Sequence, residues 1–367
     1  MKIKRTVHVE DMEDIATGGA ILGTGGGGDP YVGKLMAQEA IRRHAPVKIV
    51  DVDELADDAL VVPVCMMGAP TVMTEKIPAG RELIVAFRKL EELLGRRIDA
   101  VLCGEAGGVN STTPFVVAAE TGLPLVDGDG MGRAFPELQM ETFGMFGVKA
   151  TPMVLCDDKG NSLVLDTVSN AWTERLARAA TVEMGGSALL AFYAMDGATA
   201  KKCVVRGTLG LTAKLGETLR EARAGHRDPV AAIVDELGAG VIFHGRIKDI
   251  ERRTVGGFAR GKARFEGVDE WKGHDFRLDF QNEFLVAERD GDIVVTTPDL
   301  ITALEAESGN PVTADALRYG LRLKVLALPC NPLWRTPQGI DLVGPRYFGY
   351  DVDYRPLEPA TAGRPCR

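Results

Sequence analysis

Two aspartates, Asp127 and Asp129, stand two residues apart in the run Asp127-Gly128-Asp129-Gly130. The glycines let the chain turn so that both carboxylates face one way. Two close carboxylates push one pKa upward and leave an acid and a base at neutral pH. The same pair suits one hard divalent cation, with Glu105 or Glu137 completing an oxygen shell. A bare Asp-Gly turn with solvated acids is the plainer reading. Arg133 and Glu137 follow closely, however, and make the stretch a polar site. The expectation is that Asp127, Asp129 and Glu105 are catalytic, and that Asp127 and Asp129 are the metal candidates.

Three further clusters could hold a substrate. Glu105 and Asn110 share a loop with Gly104, Gly107 and Gly108 and with Ser111, Thr112 and Thr113. Such a loop can orient the amides and carbonyls of a small polar molecule, although Ser111 or Thr112 serves equally as a helix cap. Gly25 to Gly28, followed by Asp29, form a glycine run ahead of a helix, where free N–H groups converge on an anion or a polar ring. A purely structural tight turn is the rival. Asn282 and Glu283 interrupt the alternating stretch Leu278 to Ala287. They either reach the same cleft from a second domain or lie on a β surface. Cys65 follows a buried run, but no nearby His or Lys would lower its pKa, so packing is expected of it.

Gly23-Thr24-Gly25 with Gly28, and Asp51 after the strand-like Val47 to Val50, imitate a dinucleotide fingerprint. That fingerprint needs a strand entering the first glycine. Here Met12, Ile15 and Ala16 form a helical stripe instead, so neither nicotinamide nor flavin is expected. The run also lacks a GK[ST] lysine, which excludes a standard P-loop.

The elements that must position these residues read as follows. Apolar runs at Leu60 to Val64, Asp99 to Leu102 and Pro124 to Val126 alternate with helices at Tyr31 to His44, Phe87 to Leu94 and Pro114 to Thr121. This predicts an α/β layered N-terminal domain with a mainly parallel sheet, whose ligand cleft lies past the strands' carboxyl ends. Met153 to Cys156 and Ser162 to Leu165 flank a hairpin signal, Asp157 to Asn161. Asn170 to Ala180 and Leu209 to Ala224 read as helices, and Ala188 to Met195 as a buried strand. From about Gly238, short alternating runs with turn signals predict a small β barrel or sandwich. The domain expectation is 1–168, then 169–355 (a mixed segment 169–237 and a β-rich core 238–355), then a tail 356–367.

The 367 residues carry a net charge of −9. With no basic run, this argues against nucleic acid or an acidic membrane as partner. The first residues lack the apolar core of a secretory signal, and no apolar run reaches the ~18 residues of a membrane span. A cytoplasmic protein is expected. Six dispersed cysteines without a CxxC pair, and five histidines without HxH or HExxH, exclude a disulfide framework and a histidine-rich metal site.

Taken together, Gly18 to Tyr31, Gly104 to Pro114, Pro124 to Thr142, Gly256 to Ala263, Gln281 to Ala287, Thr297 to Ile301 and Pro345 to Tyr354 resemble a bacterial family named for S-methyl thiohydantoin desulfurase. The resemblance covers nearly the whole chain. It implies an α/β domain followed by a β-rich one, and five-membered cyclic ureides as the substrate class. It also implies association with hydantoinase-type enzymes. In such a hydrolysis Asp127 or Asp129 would act as base or metal ligand, and Glu105 and Asn110 would hold the ring. The Gly25 to Gly28 amides would receive an oxygen or carboxylate, and Arg133 would pair with the acids or with a substrate acid. The alternatives are a nucleotide- or phosphate-dependent partner of a hydantoinase and a non-catalytic subunit. A homo-oligomer is expected.

Overall fold

The computed structural model describes residues 5–357 apart from 69–71, 73–75, 77 and 79. The expected tail from 356 falls almost wholly outside this range. The first sheet is built on β3 (Leu60–Gly68), nine residues long and apolar on both sides. Val62, Val64 and Met66 go to one core, and Val61, Cys65 and Met67 to the other. This period of two is what a strand covered on both faces requires. Helices α1 (Met12–Leu22), α2 (Pro30–Arg43), α3 (Glu82–Leu94), α4 (Thr113–Thr121), α5 (Asn170–Glu183) and α6 (Thr208–Ala224) supply the cover.

The remaining strands of this part are β1 (Thr6–Val7), β2 (Val47–Val50), β4 (Ala100–Cys103), β5 (Leu125–Val126), β6 (Gly128–Asp129), β7 (Met153–Cys156), β8 (Ser162–Leu165), β9 (Ser187–Ala191), β10 (Met195–Asp196) and β11 (Val205–Arg206). The sheet order is β1-β2-β5-β4-β3-β9-β7-β8, with β10 against the start of β3 and β6 paired separately with β11. Only β2-β5-β4-β3 is parallel; the rest is antiparallel. The expected mainly parallel sheet is therefore a mixed one. The cause is the length of β3: Val61 to Val64 pair with β4, and Val64 to Gly68 pair with β9 running the other way. The run from Ala188 breaks into two strands because Tyr193 takes a left-handed backbone, φ 46°. β9, beyond residue 168, lies between β3 and β7, so the sheet draws on chain from both sides of that position.

The second sheet is antiparallel throughout. Its strands are β12 (Gly240–Val255), β13 (Phe258–Gly267), β14 (Asp275–Gln281), β15 (Glu283–Arg289), β16 (Asp292–Thr296), β17 (Leu300–Glu305) and β18 (Arg322–Leu328), in the order β16-β15-β14-β13-β12-β18-β17. It curls into a half-barrel around Phe243, Phe265, Phe276, Phe280 and Phe284. Phe243 and Phe276 stack with centroids 4.6 Å apart.

Candidate functional site

The carboxyl ends of β3 and β4 open into a cavity of about 60 Å³ that is continuous with solvent. This is where an α/β sheet exposes its loops to ligands. Its walls are Cys65 to Gly68 at the end of β3, Glu105 and Asn110 after β4, and Met131, Phe135 to Leu138 and Glu141 after β6, together with Phe192, Arg178 of α5 and Gly27. The half-barrel adds Asn282 and Glu283, the turn between β14 and β15.

Three buried glutamates face this space. Glu105 accepts a 2.7 Å hydrogen bond from Asn110 Nδ2. Asn110 is itself locked to the end of β3, accepting from Met66 N at 2.6 Å and donating to Met66 O at 3.1 Å. Burial pushes the Glu105 carboxyl up to about 8, the Asn110 bond holds it back, and Asp129 adds to the rise. Glu141 is pushed well above the ordinary carboxylate range by burial, then by Asp129 and Glu105, and its Oε2 has no hydrogen-bond partner. Glu283 is raised by burial and by Glu105, held back by Arg133 and the Gly27 amide, and its Oε2 is likewise unpartnered. A buried carboxyl oxygen without a partner is costly unless the group is protonated or a ligand supplies the bond. The Cys65 thiol is raised by burial and by Glu141 and Glu105, so it stays protonated and is not an activated nucleophile.

The structure places several expected site residues elsewhere. Asp127 Oδ1 accepts from Gly210 N at 2.9 Å, in the first turn of α6, so this carboxylate caps a helix and does not line the cavity. Asp129 is fully buried beneath the loop of Glu105 and accepts from Ala106 N at 2.7 Å and Gly132 N at 2.9 Å. Burial raises it to about 7 against those bonds. The two carboxylates therefore have separate backbone partners and form neither the expected acid–base pair nor a shared cation site. Among the described residues, a group with metal-ligand spacing is His244, Asp269 and Glu270, with ligand atoms within 4.8 Å of one another. None of them lines the cavity.

Arg133 pairs with neither aspartate. Its five N–H groups go to Ala134 O, Pro298 O, Asp299 O, Thr24 Oγ1 and Phe284 O, at 2.7 to 3.2 Å. It stacks on Phe135, 4.6 Å from the ring centroid. Burial lowers it to about 10, which leaves it charged at neutral pH. It ties the half-barrel to the glycine run instead of meeting a ligand.

The glycine run, which follows helix α1 and not a strand, is a packing joint. Of Gly25 to Gly28 only Gly27 lines the cavity. Gly25 O accepts from Ala314 N and Thr24 O from Phe284 N, each at 2.7 Å. A side chain on Gly26 would put Cβ 1.9 Å from Glu283 Oε1. The expected anion cradle is thus filled by the protein's own second domain. Asp29 is an exposed cap of α2, accepting from Tyr31 N at 2.8 Å. Ser111 and Thr112 turn back onto Gly108 O and Val109 O, each at 2.7 Å, and are buried away from the cavity. Glu137 does line it and accepts from Tyr347 Oη at 2.6 Å.

Glu141 and Arg178 are missing from the sequence-based expectation. For Glu141 a signal existed: a lone acid between Met140 and Thr142-Phe143, all of them buried. Arg178 gave none. Its Nε donates to Glu174 at 2.7 Å and its Nη2 to Pro136 O at 3.0 Å, contacts that only the fold creates.

An acid-lined cavity walled jointly by an α/β layer and a β half-barrel defines a two-domain protein of mixed α/β and antiparallel β architecture. Residues 10–167 match the family model described as S-Me-THD-like, N-terminal domain, and residues 168–357 match the S-Me-THD-like, C-terminal domain. The chain belongs to this S-methyl thiohydantoin desulfurase-like family. It is also similar to a solved structure of a protein from Chromobacterium violaceum at 25% identity, covering 96% of this chain and 100% of that one, with a TM-score of 0.82. No curated protein matches the chain.

Proposed function

We propose that the protein is a hydrolase that desulfurises an S-methyl thiohydantoin to the hydantoin and methanethiol. The observation that carries this reading is the set of Glu105, Glu141 and Glu283 around one cavity, inside a chain of the thiohydantoin-related family. Water attacks the ring carbon that bears sulfur. The C–O bond forms, the C–S bond breaks, and the carbon becomes a ring carbonyl; one water proton leaves with sulfur as the thiol and the other goes to the ring nitrogen whose double bond to that carbon is lost. The step needs a base for the water and an acid for the sulfur.

Carboxyls that raise one another's pKa give up protons one at a time. Whichever loses its proton becomes the base while a neighbour keeps the acid. Glu105, raised to about 8 and less strongly than the other two, loses its proton first and is assigned as the base. Asn110 fixes its orientation by donating to it, leaving Glu141 and Glu283 to hold the acid's proton. Asn282, Glu137 and Gly27 offer polar contacts for the ring's nitrogens and carbonyls. A role as a phosphate-dependent partner finds less support, because the glycine run is occupied by Glu283 and Phe284.

The test is thiol release from a panel of S-methyl thiohydantoins, with and without chelator. Release that survives chelation supports the carboxyl mechanism. Release lost with chelator and restored by a divalent ion replaces it with a metal-dependent one. Binding of plain hydantoins with no release from any member of the panel overturns the hydrolase reading in favour of a non-catalytic subunit.

A further inference from the structure

Helix α5 has a buried side and an unusual exposed one. Inward, Glu174 and Arg178 form an ion pair that also holds Leu138 N and Pro136 O in the cavity wall. Outward, Ala171, Trp172, Arg175, Leu176, Ala179, Val182 and Glu183 form one stripe. Trp172 is 48% exposed, Leu176 44% and Val182 52%, and Val168 just before the helix is 86% exposed. The turn after β12 continues the patch, because Gly257 packs beside Val182 and Val255 next to it is exposed. Single exposed apolar residues are ordinary, but a continuous helical stripe marks an interaction surface.

We propose that this stripe pairs with the same stripe of a second copy of the chain, the two α5 helices crossing antiparallel about a two-fold axis at Ala179. In such a pairing, residues equidistant from the axis meet. Leu176 then lies against Val182 of the second copy, three residues either side of the axis. Arg175 lies against Glu183 of the second copy, four either side. The stripe's only two charged residues are therefore opposite in sign at the positions that face each other. Within its own chain Arg175 stacks on Trp172, 5.3 Å from the ring centroid. Neither it nor Glu183 has an ion-pair partner among the described residues. Ala179 at the crossing point lets the two backbones approach.

Sedimentation equilibrium of the full chain tests this. The expected result is a dimer that Leu176→Glu converts to monomer with an unchanged circular dichroism spectrum. Arg175→Glu, which sets like charges opposite each other twice, should weaken the dimer roughly tenfold or more. Adding Glu183→Arg should restore it. A wild-type chain that stays monomeric at its highest soluble concentration overturns the proposal. So does an oligomer indifferent to Leu176→Glu and Arg175→Glu, or a double variant no tighter than the single one.

Discussion

At the scale of single residues, the chemistry rests on where protons sit. Glu105 holds its proton more tightly in the fold, at about 8, than at the ordinary value of 4.5. Its contribution to stability is therefore full below about pH 4.5 and is lost as pH rises through about 8. Glu105→Gln removes this contribution, so thermal melts between about pH 5 and 8 should show a shallower fall for the variant than for wild type. Turnover should drop about a hundredfold or more in the same protein. Asp127→Ala should do the reverse, costing about 1 kcal/mol through the lost cap on α6 while leaving turnover intact. If Asp127→Ala kills turnover without lowering the melting temperature, the assignment moves back to that residue. Glu105, Asn110, Asn282 and Glu283 could be picked out of the sequence because polar groups stand out in glycine-rich or apolar runs. The roles of Asp127 and Asp129 could not. Spacing along the chain says which carboxylates are neighbours, but not that Gly210, 83 residues away, claims one of them.

At the scale of elements, the glycine run and the turn between β14 and β15 form one joint. Gly26→Ala would bring Cβ into Glu283, so the variant should lose roughly 1–3 kcal/mol by denaturant melt and lose turnover as Glu283 is displaced. Native stability together with native turnover would show that the joint yields freely and does not position Glu283. The helices and hairpins of both sheets were readable because amphipathic spacing and turn residues are local. The direction of β9 was not, since an apolar run pairs equally well either way until its neighbours are known.

At the scale of the whole molecule, Arg133 couples the parts. It holds Thr24 of the N-terminal layer and Pro298, Asp299 and Phe284 of the half-barrel at once. Arg133→Met would leave those buried oxygens without its donors, at a cost of about 1–3 kcal/mol for each one left unsatisfied. Calorimetry should then show two separated transitions where wild type shows one; a single sharp transition in the variant would place the coupling elsewhere. The siting of β9 bears on biosynthesis as well. On the ribosome, the first 167 residues emerge with a slot open between β3 and β7, and their apolar edges wait for Ser187 to Ala191 to be made. A nascent chain therefore exposes an unfinished sheet for part of its synthesis, the kind of unpaired edge that invites aggregation until that strand arrives.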